Sequence, residues 1–174
     1  GPVVAAALIL PANQPLPAGI NDSKKLTAAK RRSLLKQIKA NDEVRWGVGI
    51  VDAATIDEIN ILNATHLAMK KAVEAIGDDV DFCLIDGLPI KGLHVEHKAI
   101  VKGDSRSLSI AAASIIAKET RDDMMKEYAK EFPEYGFEKH KGYGTKVHML
   151  ALKEHGPCPI HRHSFAPVRN AVKK

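Results

Sequence analysis

Only two of the 174 residues are cysteine, Cys83 and Cys158. That is too few for a disulfide framework and fits a reducing compartment. No uninterrupted apolar stretch reaches the roughly 18 residues that a bilayer-spanning helix needs, and the Ala/Val/Leu run from Val3 to Leu10 falls far short of it. No basic segment precedes that run and no clean small-residue cleavage site closes it, so it does not read as a signal peptide. A cytoplasmic protein with no membrane partner is expected. A Gly-x-x-x-x-Gly-Lys-Ser/Thr loop is also missing, which disfavours phosphoryl transfer on small nucleotides. The chain opens on Gly1 instead of methionine, as expected of a processed or truncated chain.

What is present describes one domain, 45% hydrophobic and long enough to bury a core. Its charge is unevenly divided. The chain carries +5 overall, and residues 136–174 hold eight basic and two acidic residues, so the other 135 sum to −1. A basic end on a near-neutral body is the footprint of a polyanion partner, since each neutralised phosphate releases counterions. A solvated basic face would have the same composition. The expected layout is a core over 1–135 followed, in the same domain, by a basic helical substrate-binding region over 136–174.

Along the chain, Val3 to Leu10 reads as a buried strand stopped by Pro11. Pro11, Pro15, Pro17 and Gly19 then make a loop. After the polar turn Asn21-Asp22-Ser23-Lys24-Lys25-Leu26, Thr27 is placed to cap a helix to about Lys39. Leu34, Leu35 and Ile38 would face inward and Lys30, Arg31, Lys36 and Lys39 would be solvated. Val44, Trp46, Val48 and Ile50 alternate as the better-buried face of a strand, with Trp46 in the core. A second helix is expected from about Thr55, presenting Leu62, His66, Met69, Val73 and Ile76 on one stripe, with His66 a boundary histidine. A third presents Ile110, Ala113, Ser114, Ala117, Arg121, Met124 and Tyr128 and ends before Pro133. The segment Gly136 to Thr145 is punctuated by glycine and can lay its backbone on a phosphate and stack a ring on a sugar or base. Thr145 can cap a last helix ended by Gly156 and Pro157. Cys158, His161 and His163 could be zinc ligands in kind, but the set is a weak signal.

Two carboxylates organise the rest. Phe82-Cys83-Leu84-Ile85 runs apolar, as a strand buried on both faces would, into Asp86-Gly87. A second apolar run ends at Val101-Lys102-Gly103-Asp104, where a helical pattern begins. Asp104 alone also reads as a helix cap; paired with Asp86 at a neighbouring strand end, it points to a metal site.

Six stretches, in order and with compatible spacing, resemble the bacterial ribonuclease HII family. They are Asn21 to Leu26, Ile59-Asn60-Ile61-Leu62, Ile85-Asp86-Gly87, Val101 to Lys118, His140-Lys141-Gly142-Tyr143-Gly144-Thr145, and His161 to Pro167. The resemblance implies an α/β fold: an RNase H-like mixed β-sheet flanked by helices, with a C-terminal helical region. It implies an endoribonuclease of DNA replication and repair that cleaves RNA in RNA/DNA hybrids and at single ribonucleotides in duplex DNA, leaving 3′-hydroxyl and 5′-phosphate ends. Asp86 and Asp104 match the family's third and fourth acidic positions and would be catalytic and metal-binding. Tyr143 matches the tyrosine at the RNA-to-DNA junction, and Lys24, Lys25 and Lys118 fall where phosphate contacts are expected. Carboxylates suit Mg²⁺ or Mn²⁺, and two such ions can activate water and stabilise the leaving oxygen. A monomer is expected. Family members also carry an Asp-Glu pair and a Gly-Arg-Gly segment just before the Gly-Pro-Val-Val that opens this chain. Without them the chain is expected to be inactive or impaired, or to serve as a hybrid-binding module, with strand edges left unpaired.

Overall fold

Local chemistry starts and stops the helices much as the sequence predicts. In the computed structural model, which describes residues 1–11, 17–77 and 79–172, the Thr27 hydroxyl accepts from Lys30 N at 3.2 Å and opens α1, Ala28–Lys39. Thr145 accepts from His148 N at 3.3 Å and opens α5, Lys146–His155, which Gly156 closes. The element order is β1 (Val3–Ile9), α1, β2 (Arg45–Val51), α2 (Ala53–Glu74), β3 (Phe82–Asp86), β4 (Glu96–Ile100), α3 (Leu108–Glu131), α4 (Phe137–His140), α5 and α6 (Ala166–Val172). Short 3₁₀ turns cover Gly103–Ser105 and Pro133–Tyr135. Pro15, in the expected loop, lies outside the described residues.

The second helix begins at Ala53, ahead of Thr55, because Asp52 Oδ1 accepts from Thr55 N at 2.8 Å and supplies the cap. It is also broken. Asn60 has φ 66° and ψ 165°, and its side chain accepts from Asn63 N at 3.1 Å, restarting the helix with a new phase. Leu62 is therefore 57% exposed instead of sharing the inward stripe, and His66 is half-buried. Past the break, Ala68 and Ala72 are fully buried.

Those alanines explain a reversal in β2. Gly47, Gly49 and Val51 are its buried face, while Trp46 and Ile50 are 38% and 40% exposed. Trp46 is thus not a core residue; the Lys39 ammonium sits 4.2 Å from its ring. The glycine face wins because α2 lies directly on it. A Cβ on Gly49 would meet the carbonyl oxygen of Ala68, and one on Gly47 that of Ala72. Only glycine permits so close an approach of helix backbone to strand.

The described strands form two pairs, β1 with β2 and β3 with β4, the latter parallel with Phe82 opposite Glu96 and Asp86 opposite Ile100. Between the β1 and β3 edges lies an apolar cleft of about 410 Å³, walled by Val4 to Ile9 and Phe82 to Asp86 and floored by Ile110, Ala113, Ser114 and Ala117 of α3. The cleft accounts for two departures from the sequence reading. β1 is mostly half-buried, and Phe82 and Leu84 are 49% and 43% exposed, so β3 is not covered on both faces. The first half of the α3 face read from the sequence, Ile110, Ala113, Ser114 and Ala117, lines this cleft, whereas Ala111, Ala112, Ile115 and Ile116, round the helix, pack with Leu34, Leu35, Ile38 and Val44.

The chain divides into two compact units, residues 4–50 with 65–119, and residues 1–3 with 51–64 and 120–174. The first holds both strand pairs except for Val3 and Val51, together with the core just described. The second has its own core of Met125, Tyr135, Phe137, Ala151 and Cys158. There the Tyr135 and Phe137 rings stack at 5.2 Å, and the Tyr135 hydroxyl donates to Gly156 O at 2.7 Å.

Candidate active site

Parallel pairing brings the two acids together. Asp86 ends β3 opposite Ile100, which ends β4, and Gly87 N donates to Ile100 O at 3.0 Å. From Ile100 the chain turns through Lys102, left-handed at φ 56°, into the 3₁₀ turn Gly103–Ser105. Gly103 N then donates to Asp86 Oδ1 at 2.7 Å, tying the turn that presents Asp104 to the other carboxylate. A Cβ on Gly103 would stand 3.3 Å from that oxygen and 2.6 Å from Ile110 Cδ1. Gly103 is thus a site residue in its own right. The sequence shows only a glycine before an acid, whereas its tight fit depends on contacts across the fold.

Asp104 is 8% exposed, yet its polar contacts are weak. Ser105 Oγ lies 3.4 Å from Oδ1, and Lys24 Nζ lies 3.7 Å from Oδ2. A buried carboxylate so lightly compensated calls for positive charge. Two acids offering hard oxygen donors at adjacent strand ends suit a divalent cation. Among the described residues no group of three or more His, Cys, Asp or Glu side chains gathers for a metal, so these two carboxylates stand as a pair. Cys158 and His161 do meet, at 3.1 Å, but that histidine nitrogen also accepts from Cys158 N, and His163 is exposed with its backbone N–H on Asp57.

Lys24 and Lys25 sit exposed on a turn that a buried arginine holds. Arg31 Nη1 donates to Ser23 O at 3.1 Å and to Leu26 O at 2.7 Å, and its Nε donates to Glu119 Oε1 at 2.8 Å. The Arg31 side chain is 11% exposed and that of Glu119 5%, so Arg31 is not the solvated residue its helical position predicts. Burial follows from the partners: five donors in a fixed fork fit two carbonyls and a carboxylate. Lys118 is half-buried on α3 in the same unit. The structure therefore brings Asp86, Asp104 and Lys24 into one place, with Lys25 on the Lys24 turn.

Tyr143 belongs to the other unit. It is 62% exposed, its N–H donates to His140 O at 2.9 Å, and its ring lies 5.8 Å from the Arg121 guanidinium. Arg121 also donates to Lys141 O at 3.0 Å, fastening the left-handed corner at Lys141 (φ 52°) and Gly142 (φ 79°) just before the tyrosine. Beneath this loop His140, His148 and His161 are all buried. The sequence places His140 in this loop but does not show that His148 and His161 join it beneath Tyr143, because their spacing follows no helix or strand period.

The family model for Ribonuclease HII matches residues 1–168. The chain is 55% identical over 177 aligned positions to ribonuclease HII of Chlamydia caviae, covering 99% of this chain and 80% of that protein. It is 53% identical to ribonuclease HII of Caldanaerobacter subterraneus subsp. tengcongensis, covering 95% and 68%. Among solved structures, ribonuclease H2 from Pyrococcus horikoshii OT3 superposes with a TM-score of 0.76 at 21% identity, covering 98% of this chain and 97% of that one. That likeness supports the α/β fold. The chain belongs to the ribonuclease HII family.

Proposed function

We propose that the chain carries the Asp86 and Asp104 half of a metal-dependent endoribonuclease site for RNA/DNA hybrids and for single ribonucleotides in duplex DNA. The observation that supports this most is the Gly103 N–H to Asp86 Oδ1 bond, which ties the turn carrying Asp104 to the Asp86 carboxylate, with the exposed Lys24 ammonium 3.7 Å from Asp104. Asp86 and Asp104 would hold Mg²⁺ or Mn²⁺, which when bound supplies Lewis-acid activation of water and of the scissile phosphate. The chain's own groups position the substrate. Lys24 and Lys25 offer point charges to phosphates on a turn fixed by Arg31, and Lys118 is assigned the same task. Tyr143 offers a ring face to the sugar and base at the RNA-to-DNA junction. Hydrolysis would leave a 3′-hydroxyl and a 5′-phosphate.

The family resemblance implies four acidic positions, and Asp86 and Asp104 match two of them. The test uses a labelled duplex with one ribonucleotide, Mg²⁺ or Mn²⁺, and this chain beside a version extended at its start through the family's Asp-Glu segment. Cutting on the 5′ side of the ribonucleotide by the extended version alone is expected. In that version Asp86→Asn or Asp104→Asn should cost several kcal/mol of transition-state stabilisation, more than about 100-fold in kcat, with duplex binding kept. Retained turnover would sink the assignment. Binding without cutting by either version would favour a non-catalytic hybrid-binding module, the reading to which the basic segment 136–174 gives independent support.

A further inference from the structure

Under the Tyr143 loop, hydrogen-bond chemistry fixes the state of two histidines. His148 Nδ1 lies 3.0 Å from Tyr143 O, and a carbonyl only accepts, so this nitrogen carries the proton. At the other end Cys158 N lies 2.9 Å from His161 Nδ1, and an amide only donates, so that nitrogen is bare. The two rings meet Nε2 to Nε2 at 3.0 Å. One arrangement satisfies all three contacts: His161 Nε2–H donates to bare Nε2 of His148, with both rings neutral and in opposite tautomers. His140 braces the pair. It stacks on His148 at 4.6 Å, accepts from Gly142 N at Nδ1 and donates from Nε2 to Tyr135 O at 2.8 Å.

We propose that His148 and His161 are positioning residues for Tyr143, forming a proton-ordered relay from the Cys158 amide to the Tyr143 carbonyl that holds the exposed phenol ring in place. At the Tyr143 carbonyl His148 joins Thr145 N, which donates at 2.8 Å, while Tyr143 N–H donates to His140 O at 2.9 Å, so the histidine cluster holds the residue through both its backbone groups. The surroundings keep the rings neutral. Burial and repulsion from neighbouring cations push His161 down to about 4, and burial lowers His148 as well. The groups facing the pair are His140 from α4, Tyr135 from the preceding turn, Cys158 and His163 from the tail, and the Gly1 amine, with Glu134 acting on Tyr135 and Cys158 and Arg162 on Gly1 one shell further out. A proton added to His148 lands on Nε2 and sets two N–H donors against each other across 3.0 Å at the centre of the relay, and one added to His161 lands on Nδ1 and opposes the Cys158 N–H at 2.9 Å, parting the relay at that end.

The functional meaning of this device rests on the substrate role proposed for Tyr143, but its geometry can be tested without activity. Long-range ¹H–¹⁵N spectra of the 174-residue chain should show His148 as the Nδ1–H tautomer and His161 as Nε2–H at pH 7. The opposite tautomer at either ring would overturn the proposal. His148→Asn keeps a donor near the Nδ1 position and should leave exchange of the Thr145 amide within about threefold of the parent. His148→Phe keeps bulk without a donor and should speed that exchange at least tenfold. Equal exchange in the two variants would also overturn it, and if His148→Phe fails to fold, the tautomer measurement decides alone. For duplex containing one ribonucleotide, His148→Phe should weaken binding as Tyr143→Ala does, and the double variant should be no weaker than Tyr143→Ala. If His148→Phe frees the loop while Tyr143→Ala leaves duplex binding intact, positioning stands and the substrate role of Tyr143 falls.

Discussion

Replacing Gly49 with alanine adds one methyl group and should cost more stability than most core truncations of that size. The new Cβ would meet the Ala68 carbonyl oxygen, and it would stand 2.8 Å from both Ala68 C and Ala72 N. All three are backbone atoms of a helix, so none can rotate aside as a side-chain tip would. Relief requires β2 and the second half of α2 to move apart, loosening the fully buried Ala68 and Ala72. Overpacking of this kind costs about 1–3 kcal/mol, and rigid backbone neighbours place it at the upper end. Lower unfolded-state entropy returns about 0.4–1 kcal/mol, leaving a net loss of about 2 kcal/mol. With a urea m-value of about 2 kcal/mol/M, the midpoint should fall by about 1 M at unchanged slope. Gly144→Ala is the matched control: nothing lies within 4 Å of its Cβ and its backbone needs no positive φ, so its midpoint should hold or rise slightly. A Gly49→Ala midpoint within about 0.25 M of the parent, about 0.5 kcal/mol, would refute the close-packing argument.

Acid should weaken the chain through its buried histidines. His161 titrates at about 4 when folded, against 6.5 for a histidine free in water, so the unfolded state binds more protons between those values. Stability is complete above pH 6.5 and lost as pH falls toward 4, by about 2 kcal/mol at pH 5 from this ring alone. Denaturation at pH 7 and pH 5 measures it, and a His161→Gln chain that is just as acid-sensitive would contradict it. Glu119→Gln leaves the buried Arg31 guanidinium without its carboxylate and should cost about 3 kcal/mol. Thermal melts would show that loss, and duplex binding should drop with it as the Lys24 turn loosens; unchanged melting would reject the anchoring role. Gly103→Ala should lower the extended version's cleavage rate at least tenfold, because the methyl intrudes 3.3 Å from Asp86 Oδ1, while stability falls by only about 1 kcal/mol as Ile110 yields. Full activity in that variant would remove Gly103 from the site.

What could be read from sequence was local. Thr27 and Thr145 announce their helices because a cap needs only a hydroxyl and the amide three residues on. Asp86 and Asp104 stood out because each acid ends an apolar run, and in the structure the Gly103 amide just before Asp104 donates to the Asp86 carboxylate. The misread positions depend on partners distant in sequence. Trp46 looked like core by alternation, but the strand turns its glycines inward to receive α2. Arg31 looked solvated by helical phase, but it answers to Glu119, 88 residues away. The break at Asn60 could not be seen in a stripe that continues through it. Nor does the 13-residue interval between His148 and His161 match any period that would have brought the rings together.

The cleft between β1 and β3 bears on how such measurements are read. At about 410 Å³ it falls in the size range of small-molecule pockets, and its lining is largely apolar. Environment-sensitive fluorophores such as ANS respond to surfaces of this kind, and their fluorescence is commonly taken to report a molten state. Here the folded chain itself should brighten the dye, saturably and with its near-ultraviolet circular dichroism intact. A fluorescence melt would then start from a high baseline and could fall on unfolding, so a thermal-shift screen of ligands or variants could report the opposite sign from circular dichroism on the same samples.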